Sequence, residues 1–263
     1  MSSALQKALS VLEFLVENPK GTTVSDMAKS LGMPVSGVHR LLKELESIGY
    51  VRQVKDMGEY KLTIKLASLG LSYLGQTGIS SVSQPVLDTL AAKCKELVRM
   101  AVNDNGQLVW MAVAQGSTSS LKYDPSAEQG RTVHLASTAN GQAWLASMSD
   151  DEAIEAVIKQ GLLKTGEVAK NAPSSIAQLL ETLQATRERG YSVTIDTYLD
   201  GMAAMACVVR SPDSDQPIGT ISIAGPSIRF TEQVMATHFH ALSDAAQELG
   251  EASRAGLFFY HPH

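Results

Sequence analysis

Residues with nucleophilic, basic or metal-binding side chains are scattered through this chain and form no complete catalytic set. Ser119 and Lys122 match the SxxK motif of serine β-lactamases, and Lys164-Thr165-Gly166 matches their KTG motif. That serine should open a helix, but here it precedes a predicted strand, and the two motifs lie too close together in sequence. His238 and His240 are two positions apart on a predicted helix, so they point in different directions and suit one metal ion poorly. We predict no catalytic residues, no metal and no cofactor.

A second group of residues is typical of a small-molecule pocket. Residues 137–141 (Ser-Thr-Ala-Asn-Gly) precede or open a helix, whose first backbone amides could bind an anion such as a carboxylate. Residues 201–207 are small or sulfur-containing and lie on a predicted strand, and Ser222 lies on another. Small residues beside isolated hydroxyls suit a compact apolar cavity with a few polar anchors. Ordinary sheet packing under a capping helix would produce the same pattern.

Residues 1–63 predict a winged helix-turn-helix. Helical patterns at 4–16, 23–31 and 34–48 are followed by two extended runs, 50–54 and 59–62, which predict a hairpin. The short turn Gly32-Met33-Pro34 allows the second and third helices to cross steeply. Seven residues on the third helix and on the wing are then placed to meet bases or phosphates: Ser36, Gly37, His39, Arg40, Lys43, Arg52 and Lys55. The same three-helix pattern also occurs in modules that bind other proteins.

The remaining elements predict a separate α+β domain. A linker helix and hinge are expected at 64–78, with the helix ending near Leu74, and a tail at 251–263 has no predicted role. Between them, 79–250 predicts helices flanking a mainly antiparallel sheet of about six strands. Asn105-Gly106 is a strong hairpin signal between two of these strands, and residues 121–123 are a candidate third strand.

Composition and charge narrow the function classes. The 263 residues are 44% hydrophobic and 19% charged, a globular composition that excludes a disordered chain. No apolar run reaches the roughly 18–20 residues that span a bilayer, and no secretory signal is recognised, so a cytoplasmic protein is expected. Cys94 and Cys207 are too few for a disulfide framework. Residues 1–70 carry nine Lys/Arg against seven Asp/Glu, whereas the remainder carries thirteen against twenty, which indicates two modules with different partners.

Several motifs, in the right order, resemble the IclR-type (isocitrate lyase regulator) transcription factors. In the first module these are residues 3–13 (SALQKALSVLE), 34–42 (PVSGVHRLL) and 49–51 (GYV). In the second they are 134–146 (HLASTANGQAWLA), 187–191 (RERGY), Gly201-Met202 and 221–226 (ISIAGP). The resemblance covers roughly residues 3–250.

The resemblance implies a winged helix, a linker helix and a GAF-like effector-binding domain. It implies a homodimer, often a dimer of dimers, on a palindromic double-stranded DNA operator, and an effector that is a small carboxylate or an aromatic acid. In the family the carboxylate commonly meets backbone amides at the pocket helix, here at Ala139 and Asn140, with polar anchors at positions matching Asp196 and Ser222. The predicted effector site comprises Thr138, Ala139, Asn140, Asp196, Met202, Met205, Cys207 and Ser222.

Two departures from the family pattern bear on the effector. Asp196-Thr197 replaces a pair of acids, and Ala224 stands where a second serine is common. Fewer hydroxyl anchors and the small Ala203-Ala204 pair favour an acid larger and more apolar than pyruvate. A ligand-sensing protein-interaction module without DNA binding and an enzyme that metabolises a small acid are the alternatives.

Overall fold

The chain folds into two compact units. The computed structural model describes residues 3–54, 58–126, 128–161 and 169–255. Contacts divide the chain into Met1–Gln76, called the amino-terminal unit below, and Thr77–His263, called the carboxy-terminal unit. None of the helices in the described ranges is long and apolar enough to cross a bilayer.

The amino-terminal unit consists of three helices, a two-stranded hairpin and a fourth helix. The elements are α1 (Ala4–Glu17), α2 (Val24–Leu31), α3 (Val35–Ser47), β1 (Val51–Gln53), β2 (Tyr60–Leu62) and α4 (Lys65–Thr77). Apolar residues at helical spacing on the first three helices pack with Val51 and Tyr60 into one core. This is the predicted winged helix-turn-helix order.

Short-range signals set the turn between α2 and α3. The Thr23 hydroxyl caps α2 by accepting the Asp26 amide at 3.2 Å, and Gly32 ends the helix at φ +60°, a conformation that glycine adopts without strain. The sequence predicts Pro34 at the first helical position, but it is extended, with ψ 139°, and is the residue before the helix. This shift of one residue leaves the α3 face unchanged.

The carboxy-terminal unit is a five-stranded antiparallel sheet between helices. Its elements are α5 (Ile79–Cys94), β3 (Leu97–Asp104), β4 (Gln107–Gln115), α6 (Ala139–Ala146), α7 (Asp150–Gln160), α8 (Ile176–Arg189), β5 (Ser192–Ile195), β6 (Met202–Arg210), β7 (Pro217–Pro226) and α9 (Glu232–Ala252). The strand order is β4-β3-β7-β6-β5. Helix α6, backed by α7 and α8, covers one face of the sheet, and α5 and α9 pack on the other.

Antiparallel register brings distant residues together on the face under α6. Asn105 and Gly106 turn the β3–β4 hairpin with φ of +49° and +82°, as their sequence predicts. On the other edge of β3, Arg99 lies opposite Ser222 of β7, and Ser222 lies opposite Ala206 of β6. Directly opposed residues share a face, so Arg99 and Ser222 both lie on the α6 side with Ala206.

Two expectations about the elements are wrong. Residues 121–123 form no strand, so the sheet has five described strands instead of about six, because Ser119 Oγ accepts the Leu121 amide and Arg229 donates to the Leu121 carbonyl. The helix predicted to end near Leu74 continues through Gly75 to Thr77, since each glycine inside a helix costs only about 1 kcal/mol. Gly78, at φ +75°, is the residue that separates α4 from α5.

Candidate functional site

Helix α3 presents a face of small and basic residues. Ser36, His39, Arg40 and Lys43 are exposed, and Gly37 is half-buried. A methyl group added at Gly37 would meet only Pro34 Cδ, at 4.0 Å, so the fold itself does not require glycine there. This part of the helix can therefore approach a surface closely.

The basic side chains of α3 are held only loosely. Arg40 Nε lies 3.9 Å from Glu44, with the arginine side chain 74% exposed. Lys43 Nζ lies 2.8 Å from Glu46. The hydrogen bond to Lys43 lowers the pKa of Glu46 and raises that of the lysine, so both stay charged at neutral pH. Exposed pairs of this kind contribute at most about 1 kcal/mol, so a phosphate can displace the carboxylates.

The wing contributes one described basic residue of the two predicted. Arg52 is exposed on β1, directly opposite Lys61 on β2. Lys55 lies outside the described residues.

A cavity opens between α6 and the sheet in the carboxy-terminal unit, and it is called the α6 cavity below. It encloses about 400 Å³ of empty space including its mouth, but the centre of a water molecule can reach only about 30 Å³ of it. It is lined by Arg99, Tyr123, Thr138, Ala139, Asn140, Thr194, Thr197, Tyr198, Leu199, Met202, Ala203, Ala204 and Ala224. A ligand of aromatic-acid size fits only when lining side chains move.

The amino end of α6 is locked onto the sheet. The Thr138 hydroxyl accepts the Gly141 amide at 3.0 Å and donates to the His134 carbonyl at 2.7 Å. The Asn140 side chain donates to the Thr220 hydroxyl at 2.9 Å, and both residues are fully buried. The Ala139 and Asn140 amides belong to the first turn, where helix amides have no acceptor within the helix.

The structure brings half of the predicted effector residues to the cavity. Thr138, Ala139, Asn140 and Met202 line it, as do the three alanines that marked the departure from the family pattern: Ala203, Ala204 and Ala224. Ser222 lies on the same face but is covered, 1% exposed, with its hydroxyl 3.5 Å from the Arg99 carbonyl.

Asp196 shapes the cavity without lining it. It follows β5 at φ +53°, and its carboxylate accepts the Gly201 amide at 2.7 Å. This bond closes the loop 196–201, which carries the lining residues Thr197, Tyr198 and Leu199.

Met205 and Cys207 lie away from the cavity. Successive strand residues point to opposite faces, and Ala204, Ala206 and Val208 face α6. Met205 and Cys207 therefore face the other layer, and burial raises the pKa of the Cys207 thiol to about 12. The sequence-based prediction assigned residues 201–207 to one pocket surface, but alternate residues of a strand lie on opposite faces.

The structure adds five polar lining residues that the sequence did not predict: Arg99, Tyr123, Thr194, Thr197 and Tyr198. The available signal was Arg99 itself, a charge inside the otherwise apolar start of β3. Burial and the nearby Glu128 carboxylate raise the pKa of Tyr198 to about 12, and the same two causes raise the pKa of Tyr123. Both hydroxyls are therefore protonated at neutral pH.

Of the residues considered for chemistry, the structure describes Ser119, Lys122, His238 and His240. Ser119 lies in a loop, and Lys164-Thr165-Gly166 lies outside the described residues. His238 packs on Phe230 and His240 on Phe239. Within the described ranges, no three His, Cys, Asp or Glu side chains converge as metal ligands would.

A helix-turn-helix unit joined to a unit with an enclosed cavity defines the class of ligand-responsive DNA-binding regulators. The sequence model described as "Bacterial transcriptional regulator IclR C-terminal" matches residues 71–251, and the "IclR helix-turn-helix domain" matches residues 4–55. The chain therefore belongs to the IclR family of bacterial transcriptional regulators.

Curated relatives and solved structures of IclR-type regulators match this chain along nearly its full length. The chain is 27% identical to Transcriptional repressor IclR of Escherichia coli K12 over 94% of this chain and 88% of the relative. It is 25% identical to the HTH-type transcriptional repressor AllR of Salmonella typhimurium, over 95% and 90%.

Among solved structures, the IclR of Thermotoga maritima has a TM-score of 0.72 at 25% identity, over 97% of this chain and 98% of that one. An IclR homologue from Microbacterium hydrocarbonoxydans, complexed with 4-hydroxybenzoate, has a TM-score of 0.77 at 19% identity, over 97% and 100%. At that identity the second likeness concerns the fold alone.

Proposed function

We propose that this chain is a cytoplasmic transcriptional regulator that binds a palindromic operator through two copies of α3 and responds to a small organic acid in the α6 cavity. The observation that carries the proposal is the α6 cavity, enclosed by a helix amino end and a sheet, in a chain that also carries a helix-turn-helix.

The α3 face supports insertion into the DNA major groove. Ser36 and Gly37 allow close approach, and His39 and Arg40 reach beyond them toward base edges or phosphates. Lys43 and Arg52, with Lys55 from outside the described residues, add phosphate contacts.

The proposed DNA binding is tested by selecting a binding site from random duplexes and measuring the affinity for the selected duplex by fluorescence anisotropy at fixed salt. Arg40→Ala should cost about 1–3 kcal/mol if the guanidinium reads a base. Lys93→Ala, which removes an exposed charge from α5 in the other unit, is the matched control and should change little. A complete lack of DNA binding, with ligand binding intact, would favour the protein-interaction module instead.

Apolar side chains left in solvent support self-association. On α1, Leu5 is 69% exposed and Val16 is 55% exposed, with Leu9 between them. Helix α4 is exposed along most of its length and carries Leu69, Leu71 and Tyr73 in solvent. Several exposed apolar side chains on one helix are typical of interaction sites. A dimer or a dimer of dimers would present two copies of α3 to a palindrome.

The lining of the α6 cavity supports an acid larger and more apolar than pyruvate. On the sheet side, Ala204 and Ala224 place small apolar side chains beside the single hydroxyl of Thr194. A protein of the same fold binds 4-hydroxybenzoate, which has the expected size and charge. Calorimetric titration with 4-hydroxybenzoate, benzoate and pyruvate tests this, and tight pyruvate binding without aromatic-acid binding would overturn it.

To change the affinity for DNA, the acid must bind more tightly to one arrangement of the two amino-terminal units of a dimer than to another. A preference of ~100-fold corresponds to about 2.7 kcal/mol of coupling, and the operator must then change acid affinity by the same factor. Titrating the acid with and without bound operator measures both directions. Equal acid affinity in the two titrations would contradict ligand-responsive DNA binding.

A further inference from the structure

One charged side chain lies among the described residues that line the α6 cavity. Arg99 projects from β3 and is only 8% exposed. Its guanidinium carbon lies 3.8 Å from the centroid of the Trp110 ring and 5.6 Å from that of Tyr123. Stacking on an aromatic face fixes the plane of the guanidinium and leaves its edges to donate hydrogen bonds.

The donors of Arg99 are only partly used. Nη1 is paired with the Glu128 carboxylate, whereas Nε is buried and has no hydrogen-bond partner among the described residues. A buried donor without an acceptor costs about 1–3 kcal/mol, and more when it is charged. Nε shares with Nη2 the edge of the guanidinium that binds carboxylates with two parallel bonds.

Glu128 interacts with the hydrogen-bond donors that a bound acid would use. Its other oxygen accepts the Tyr123 hydroxyl at 2.6 Å. Both tyrosine hydroxyls that line the cavity stay protonated near this carboxylate, and both can donate. Arg99, Tyr123 and Tyr198 thus form a group of hydrogen-bond donors that suits a carboxylate, and Glu128 lies beside them.

We propose that Arg99 anchors the acid group of the effector and that Glu128 competes with it for the same donors. This inference rests on the proposed function and adds the residue that selects acids over neutral molecules. A bound acid can accept hydrogen bonds from the unused Nε and Nη2 edge of Arg99, but Glu128 already pairs with the same guanidinium. The affinity of the wild-type chain for the acid therefore depends on the competition between the effector carboxylate and Glu128. An amide of the same shape is neutral and can accept only one of the two parallel bonds from that edge, so it gains less from Arg99.

The experiment is calorimetry on the full chain with acid and amide pairs. Suitable pairs are 4-hydroxybenzoate with 4-hydroxybenzamide, benzoate with benzamide, phenylacetate with phenylacetamide and pyruvate with pyruvamide. Arg99→Gln should weaken the bound acid about 10-fold or more and leave the amide within about 3-fold. Glu128→Gln should tighten the acid by about 10-fold and leave the amide unchanged, because it removes the competitor but keeps the anchor. Glu155→Gln, on the exposed side of α7, is the matched control and should change neither.

The two variants separate the possible failures. If wild type binds an acid and both variants bind it equally well, the acid group lies elsewhere, at the Ala139 and Asn140 amides for example, and only the Arg99 inference falls. If Glu128→Gln weakens the acid, Glu128 is not a competitor and the inference is overturned, even where Arg99→Gln fails to fold. If wild type binds no acid of the four pairs, the proposed acid-sensing function falls and the inference falls with it.

Discussion

The hydrogen bond between Asn140 and Thr220 should be a measurable anchor of α6. Thr220→Val keeps the shape of the side chain but removes the hydroxyl that accepts the Asn140 side-chain amide, 2.9 Å away, at a site from which water is excluded. Leaving a buried donor unpaired costs about 1–3 kcal/mol. For a unit of about 150–250 residues, each kcal/mol lowers Tm by roughly 2–4 °C, so the expected loss is about 2–12 °C.

Tryptophan fluorescence reports this unit selectively. The chain has two tryptophans, Trp110 and Trp144, and both are buried in the carboxy-terminal unit. Thermal unfolding followed by their emission therefore measures the unit that contains Thr220, whatever the amino-terminal unit does.

A matched variant separates the lost bond from the change of side chain. Thr194→Val makes the same substitution at another buried strand position, where the hydroxyl makes only a 3.4 Å contact to the Ala204 carbonyl. Its Tm should fall by less than that of Thr220→Val. Equal shifts for the two variants, or an unchanged Tm for Thr220→Val, would refute the claim that this bond anchors α6.

Further variants test other parts of the chain. Gly37→Ala should leave the Tm unchanged or raise it, since its methyl group has room and alanine favours a helix by about 1 kcal/mol, but it should weaken operator binding in anisotropy if α3 packs closely on DNA; unchanged affinity would contradict close packing. Gly141→Ala should lower the tryptophan-monitored Tm and acid affinity together, because its methyl group would overlap the Leu135 backbone; a wild-type Tm would show that the loop before α6 yields. Because burial raises the pKa of Cys207 to about 12, its thiolate at pH 8 is roughly three orders of magnitude scarcer than that of an ordinary cysteine. Thiol labelling of Cys207 in the native chain should therefore be slow until denaturant is added. Fast labelling of Cys207 in the native chain would contradict its burial. Leu5→Ser with Leu9→Ser should lower the mass measured by light scattering if α1 contributes to a dimer, while an unchanged mass would place the interface elsewhere.

Local signals in the sequence predicted most elements correctly. The apolar spacing of Val38, Leu41, Leu42 and Leu45 predicted the buried face of α3, and hence the exposed face that carries Arg40. Asn105-Gly106 predicted a hairpin because both residues accept positive φ. These predictions succeed because their causes lie within a few residues along the chain.

Features set by distant contacts were not predictable in this way. Residues 121–123 have a strand-like composition, but Leu121 accepts a hydrogen bond from Arg229 and donates one to the Ser119 hydroxyl, which holds it in a loop. Met205 and Cys207 are in a run that resembles a pocket wall, yet the alternation of β6 turns them away from the cavity.

Patterns along the chain were enough to predict two modules, the exposed face of α3 and a pocket at the amino end of α6. Which side chains line the α6 cavity depends instead on tertiary contacts. Arg99, Tyr123 and Tyr198 meet there because the strand order and the loops after β4 and β5 bring them together across more than seventy residues. The physical reason is that hydrogen bonding along the chain and periodic burial act locally, whereas the pairing of a buried charge depends on the whole sheet.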